Sequence, residues 1–341
     1  MDYDKPFKSF EEQVSFLKNH HKLIIGDENF AKKVLSIIPY YDLINGYKEC
    51  MFYENHFKDN ISFEFIYMFY LFDKKFQNIL FKQSLFIENS FKTKLAYVLA
   101  ESFGVHQDMY LDNSHYETKR GKLLFSEVKH NIETIYKTDK KNISQPTRHY
   151  VENHNHIPPW ILFKNLSFSN VINLFALLKS NEKNKMLKLM KSDLYVNNDS
   201  LDARKMIDFF LTGLNIIRNY RNQIAHNLKF VTYKHSIKLS LKLINSIFPN
   251  YWLSTSDIYK KGIGYNDIFS MISIISYLIN DIYLENIFLD ELLDCISAKD
   301  ISGNELIKND LFKNYAKITN LPIDLERRIC QRQNYLLKIS G

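Results

Sequence analysis

Residues 218–227 read RNYRNQIAHN, placing two arginines, three asparagines and a histidine within ten positions of a segment whose apolar residues recur at helical spacing. On a helix advancing ~100° per residue, Leu214, Ile217, Ile224 and Leu228 share one arc that reads as core-facing, and Asn215, Arg218, Asn222 and His226 share a second. Arg221 lies at the margin, ~140° around and ~7.5 Å along the axis from His226. Its aliphatic stem can pack at the core edge while the guanidinium reaches over the helix surface.

These residue types suit phosphodiester chemistry. An imidazole can give or accept a proton near neutral pH, and a guanidinium can grip two phosphate oxygens. RNA carries its own nucleophile in the 2′-hydroxyl, so cutting it requires a base, a cation on the phosphate and alignment, without obligatory metal. In this reading Arg221 holds the scissile phosphate, Asn222 orients the pair and His226 transfers a proton, with Arg218 and Asn227 in support. The competing reading is an ordinary polar helix surface, because unrelated helices produce such Arg–His pairs by chance. A purely solvated face would more often carry Glu and Lys than this density of Asn.

The elements that must position these residues are helical. The 341-residue chain has only nine glycines and seven prolines, with 26 Phe and 22 Tyr, enough apolar surface for a sizeable core and few breaks. Ser9 and Glu12 have capping-box spacing at the start of a short helix. From Ile61 to Phe103 no Gly or Pro intervenes, and Phe65, Phe69, Phe72, Phe76 and Ile79 recur at steps of four and three; this predicts one or two long helices ending at Gly104. The stretch from His106 to Pro159 is weaker and reads as a connection. IFSMISIISYLI, residues 268–279, is too short to span a bilayer and reads as a buried helix. The expected class is all-α. Its expected parts are an N-terminal helical segment (1–60), a helical-bundle core (61–230, with 106–159 inserted) and a C-terminal helical extension (231–341).

Net charge is +7, which favours a polyanionic partner without identifying one. Three dispersed cysteines and an acidic, polar start point to a reducing, cytoplasmic setting with no signal peptide and no membrane contact. The histidine stretches His20–His21, RHYVENHNH and His226 lack the spacing of helical zinc sites, so neither a metal nor another cofactor is expected.

RNQIAHN resembles the signature of the HEPN ribonucleases: an arginine, a polar residue, a three-residue spacer and a histidine. It is also similar to the RN..AH of bacterial abortive infection proteins of the AbiD/AbiF (Abi_2) type. KPFKSFEEQVSFL near the start, YYDLINGY at 40–47, YLFDKKFQNILFKQSLFIENSFKTKLAY at 70–97 and PPWILFKNLSF at 158–168 agree in order, so the resemblance spans roughly residues 5–230. It implies an all-helical HEPN core, phage defence or toxin activity, and RNA as substrate. It also implies a homodimer whose Arg221, Asn222 and His226 meet across a cleft in one metal-independent site that leaves a cyclic-phosphate end. Some relatives form toxin–antitoxin pairs with a structured non-coding RNA, a second partner to expect. The sequence departs from the pattern at Ser169, where relatives tend to read Gly, and at Lys75 and Gln77, where an Arg is usual; neither departure is expected to touch the motif.

Other candidates compete. Arg148 and His154 in RHYVENH form a second pair with compatible spacing, or else a polar loop. Glu88, an acid within a long apolar helix, needs a partner if buried, and Arg221 or Arg218 would suit; a surface position is the alternative. Lys119, Arg120, Lys122, Lys185 and Lys188 could track an RNA backbone or form solvated faces. The alternative function is a non-catalytic RNA-binding module that sequesters a regulatory or phage RNA.

Overall fold

The computed structural model describes residues 5–117, 125–195, 202–297 and 305–340. Helix α1 (Phe10–Asn19) starts on the expected capping box: the Ser9 hydroxyl accepts the Glu12 N–H at 3.2 Å, and the Glu12 carboxylate accepts the Ser9 N–H at 2.7 Å. Helix α2 (Glu28–Ile37) is capped by Asp27. A π-helical turn at Tyr41–Asn45 leads into α3 (Gly46–Met51), followed by a small hairpin of β1 (Phe52–Tyr53) and β2 (His56–Phe57).

The spine is α4 (Phe63–Phe103), a single helix of 41 residues and therefore about 60 Å long. Ser62 caps its start, and Gly104 ends it with φ +91°, a conformation that strains any residue with a Cβ. Phe69, Phe72 and Phe76 are buried along it as their spacing predicts.

The segment expected as a connection is itself helical and packed. It holds α5 (Gln107–Tyr110), α6 (Phe125–Glu133), α7 (Thr147–Asn153) and α8 (Pro159–Leu162), and it buries Tyr110, Phe125, Val128 and Ile132. Pro159 opens α8 rather than breaking a helix, because a first-turn N–H has no intrahelical acceptor to lose.

Next come α9 (Phe168–Leu177), α10 (Ser180–Met190) and α11 (Ala203–Ala225), and α11 packs against α4 and α9. The remaining helices are α12 (Leu241–Ile247), α13 (Thr255–Tyr259), α14 (Ile268–Ile279), α15 (Ile282–Ile296), α16 (Glu305–Thr319) and α17 (Leu325–Ser340). The apolar core runs continuously from Val14 in α1 to Leu336 in α17. With one two-stranded hairpin among the described residues, the chain has the all-α class expected of it.

All twelve residues of α14 are buried, as an all-round apolar helix requires. It backs α11 directly: a Cβ at Gly213 would stand 3.0 Å from Cγ2 of Ile274, so glycine sets the approach of the two helices. A buried ion pair fastens α17 to α15, with Arg332 Nε and Nη2 on the Glu285 carboxylate at 2.8 and 2.9 Å. Among the described residues no helix is long and apolar enough to cross a membrane.

Candidate active site

Helix α11 carries the motif and ends inside it. The last helical residue is Ala225. The His226 N–H still bonds the Asn222 carbonyl at 3.1 Å, but Asn227 turns to φ +51°. The Asn227 N–H then bonds Ile224 O at 3.1 Å and the Leu228 N–H bonds Gln223 O at 2.8 Å, the paired bonds of a Schellman motif. Asn tolerates this left-handed position better than most residues with a Cβ, which gives the asparagine after His226 a structural reason. The expectation that the helix continues through Leu228 is therefore corrected. Leu214 and Ile217 are buried and Ile224 is half-buried, but Leu228 lies beyond the turn and is 51% exposed.

Arg221 is partly covered. Its Nη2 stands 3.8 Å from Glu88 Oε2, with side-chain exposures of 31% and 11%. Its Nη1 donates to Asn222 Oδ1 at 3.1 Å, and the guanidinium carbon lies 5.9 Å from the centre of the Phe81 ring. Glu88 is buried on α4, not a surface group. Its Oε1 pairs with Lys92 Nζ at 2.7 Å, and that amine also donates to the Leu166 carbonyl at 2.7 Å.

Arg218 sits one turn earlier, its Nη1 donating to Ser169 Oγ at 2.8 Å. The departure at Ser169 thus meets the supporting Arg218, one turn before the RNQIAHN motif. Burial pushes the Arg218 guanidinium below its ordinary pKa. Among the described residues six buried side-chain polar atoms lack a hydrogen-bond partner, and three of them are Arg218 Nε, Arg221 Nε and Glu88 Oε2. Such orphans are uncommon, and all three are closed off from solvent, so they are polar groups held within the packing of α4, α9 and α11.

His226 is exposed, and among the described residues its ring makes no hydrogen bond. Asn227 does the opposite: its amide nitrogen donates to Asp42 Oδ2 at 2.5 Å, and its oxygen accepts from Lys74 Nζ. Asn219 and Asn215 are occupied structurally, by buried His235 and by the Leu211 carbonyl.

A cleft of about 880 Å³ opens on the Asn227 side of this turn. Its walls include Asp42, Lys74, Gln77 and Lys229 but neither Arg221 nor His226, which stand outside it. Asp42 lies in YYDLINGY and Lys74 and Gln77 in FDKKFQ, where neither residue type nor spacing points to a shared cleft.

Other candidates fall elsewhere. Arg148 donates to the Lys140 and Lys141 carbonyls, and His154 closes α7 against the Tyr150 ring, so that pair belongs to local structure in a short helix rather than a polar loop. Lys185 is paired with Glu101 at 3.0 Å and Ser102 at 2.9 Å, thirteen residues along α4 from Glu88, or roughly 20 Å. Lys188 is exposed on α10. Lys119, Arg120 and Lys122 lie outside the described residues.

A family model described as Abi-like protein matches residues 33–231, more than half of the chain. The chain belongs to the Abi-like protein family. Membership gives it a general role in abortive infection, the bacterial defence against phage. Neither a curated protein nor a solved structure gives a match. The Abi-like match takes in the π-helical turn, α4 and the whole of α11, so Glu88, Arg221, His226 and all of the cleft lining except Thr232 and Tyr233 fall within it.

Proposed function

We propose that this Abi-like protein is a HEPN-type, metal-independent endoribonuclease that acts as a homodimer in phage defence. The observation that carries the reading is the contrast at the end of α11. There a guanidinium is braced by Glu88, Asn222 and Phe81 without a close ion pair and stays partly exposed, while one turn and a half along the chain an imidazole stands exposed, its ring making no hydrogen bond among the described residues. A braced cation suits the phosphate, and an unengaged imidazole suits proton transfer.

Among the described residues one chain offers one such arginine and one such histidine. A twofold-related copy would supply the second acid–base group that the reaction needs. In that arrangement a neutral His226 takes the proton from the 2′-hydroxyl, whose oxygen attacks phosphorus and forms the 2′,3′-cyclic phosphate. The 5′-oxygen leaves with a proton from the protonated His226 of the partner subunit. Arg221 would hold the non-bridging oxygens as charge builds, and Asn222 would fix its plane.

Labelled RNA incubated with purified protein in excess EDTA tests the reading. Cleavage by the wild type, lost in both Arg221→Ala and His226→Ala, supports it. Binding without cleavage would overturn it in favour of an RNA-sequestering module.

A further inference from the structure

We infer that the cleft beside the motif seats one unpaired nucleotide of an RNA strand, next to the phosphate handled at His226; this rests on the nuclease reading. The cleft lies between the Tyr41–Asn45 turn with α3, the middle of α4, and residues 227–233. Its volume of about 880 Å³ falls within the range of ~300–1,000 Å³ typical of small-ligand sites.

Its lining has the chemistry of single-stranded RNA recognition, in which splayed bases stack on aromatic rings and are read along their edges. Tyr41, Phe52, Tyr70 and Tyr233 supply rings, and Tyr41 is 73% exposed at the mouth. Asn45 lines it with an amide and Asp42 with a carboxylate, one of whose oxygens already accepts from Asn227. Lys48, Lys74 and Lys229 are its cations, with Lys229 paired to Glu49, Lys74 bonded to Asn227, and Glu49 and Glu54 also in the lining; the lysines alternate with the aromatics, Lys48 Nζ sitting 4.5 Å from the Phe52 ring centre and Lys74 Nζ 5.5 Å from that of Tyr70. The floor is rigid, because buried Asp73 accepts hydrogen bonds from Tyr47 at 2.7 Å, Gln77 at 2.7 Å and Tyr315 at 2.9 Å.

The cleft is also bonded to the proposed catalytic turn. Asn227 spans it, joined to Asp42 on one wall and Lys74 on the other, and its neighbour in the chain is His226. A nucleotide that engages Lys74 or Asp42 therefore acts one residue from the imidazole. It would set the register of the strand.

The test uses full-length His226→Ala protein and short single-stranded RNAs, each carrying 2-aminopurine at a different position. Fluorescence should be quenched at one position only. Tyr41→Ala, exposed and therefore neutral to folding, should abolish that quench and raise Kd roughly 5–150-fold, the range for loss of one stacking contact. Lys229→Ala should weaken binding with the quench retained. Unchanged Kd and quench in both variants would overturn the inference, and so would AMP binding as tightly as the strand. Cleavage of the same RNAs by the wild type in EDTA reads the nuclease proposal separately. Cleavage with no positional quench sinks the cleft alone, a quench without cleavage sinks the nuclease alone, and neither cleavage nor binding sinks both.

Discussion

The Arg221 guanidinium stands 3.8 Å from the Glu88 carboxylate, close enough for charge attraction and too far for a hydrogen bond. Glu88 instead bonds Lys92 at 2.7 Å, so most of its charge is already matched along its own helix. Arg221 is thus positioned by an anion without being consumed by it. A tight bidentate pair would have left fewer donors for a phosphate.

Arg221→Ala should lower the cleavage rate by about 10²–10³-fold, the usual cost of removing one preorganised transition-state donor. Arg221→Lys should recover little of it, because an ammonium cannot keep both the Asn222 contact and a two-point grip on phosphate. Single-turnover rates on labelled RNA check this.

Glu88→Gln should destabilise the fold by about 1.5–3 kcal/mol, because Lys92 loses a charge-assisted partner in a mostly covered position. Cleavage should also fall, through kcat more than KM, as Arg221 loses its brace. Denaturant titration and steady-state kinetics give the two readouts; unchanged values in both would remove Glu88 from the site.

Asn227→Gly should preserve the turn after α11, since glycine accepts φ +51° freely, while cutting the link between Asp42 and Lys74. Asn227→Ala adds left-handed strain of about 1–2 kcal/mol to the same loss. Thermal unfolding should separate the two variants, and RNA cleavage should be impaired in both.

Acid stability should depend on Asp257. Burial pushes its carboxyl up, but Arg328 at 2.8 Å, Ser254 and Lys261 outweigh burial and hold it well below the usual carboxylate range. Unfolded, an aspartate titrates near ~3.9. Its stabilisation is therefore complete above that pH and is lost as pH falls toward the depressed folded value. Denaturant midpoints measured from neutral pH down to pH about 3 should fall for the wild type in this window and flatten in Asp257→Asn.

Much of this architecture is legible in the residues. The run without Gly or Pro from Ile61 to Phe103 becomes the single helix α4, the serine-interrupted apolar run becomes buried α14, and the Ser9–Glu12 spacing becomes a formed capping box. That Glu88, if buried, needs a cation is legible, with Arg221 or Arg218 as the expected partner; Arg221 stands 3.8 Å away, but the close partner is Lys92, one turn along the same helix. The end of α11 is less legible, because the helical spacing of Ile224 and Leu228 continues past Asn227, whose left-handed backbone stops the helix. The cleft was not legible at all. Asp42 and Lys74 reach Asn227 across 185 and 153 positions, and contacts at that range leave no periodic trace in one sequence. Nor could spacing show that Ser169 would meet Arg218, since packing of α9 on α11 decides it.

The most direct measurement is the chemistry of the cut ends. RNA cleaved in excess EDTA should carry 2′,3′-cyclic phosphate and 5′-hydroxyl termini, and a single 2′-deoxy substitution at the cut nucleotide should abolish cleavage there. A 3′-hydroxyl end, or cutting that survives that substitution or the loss of both Arg221 and His226, would contradict the account.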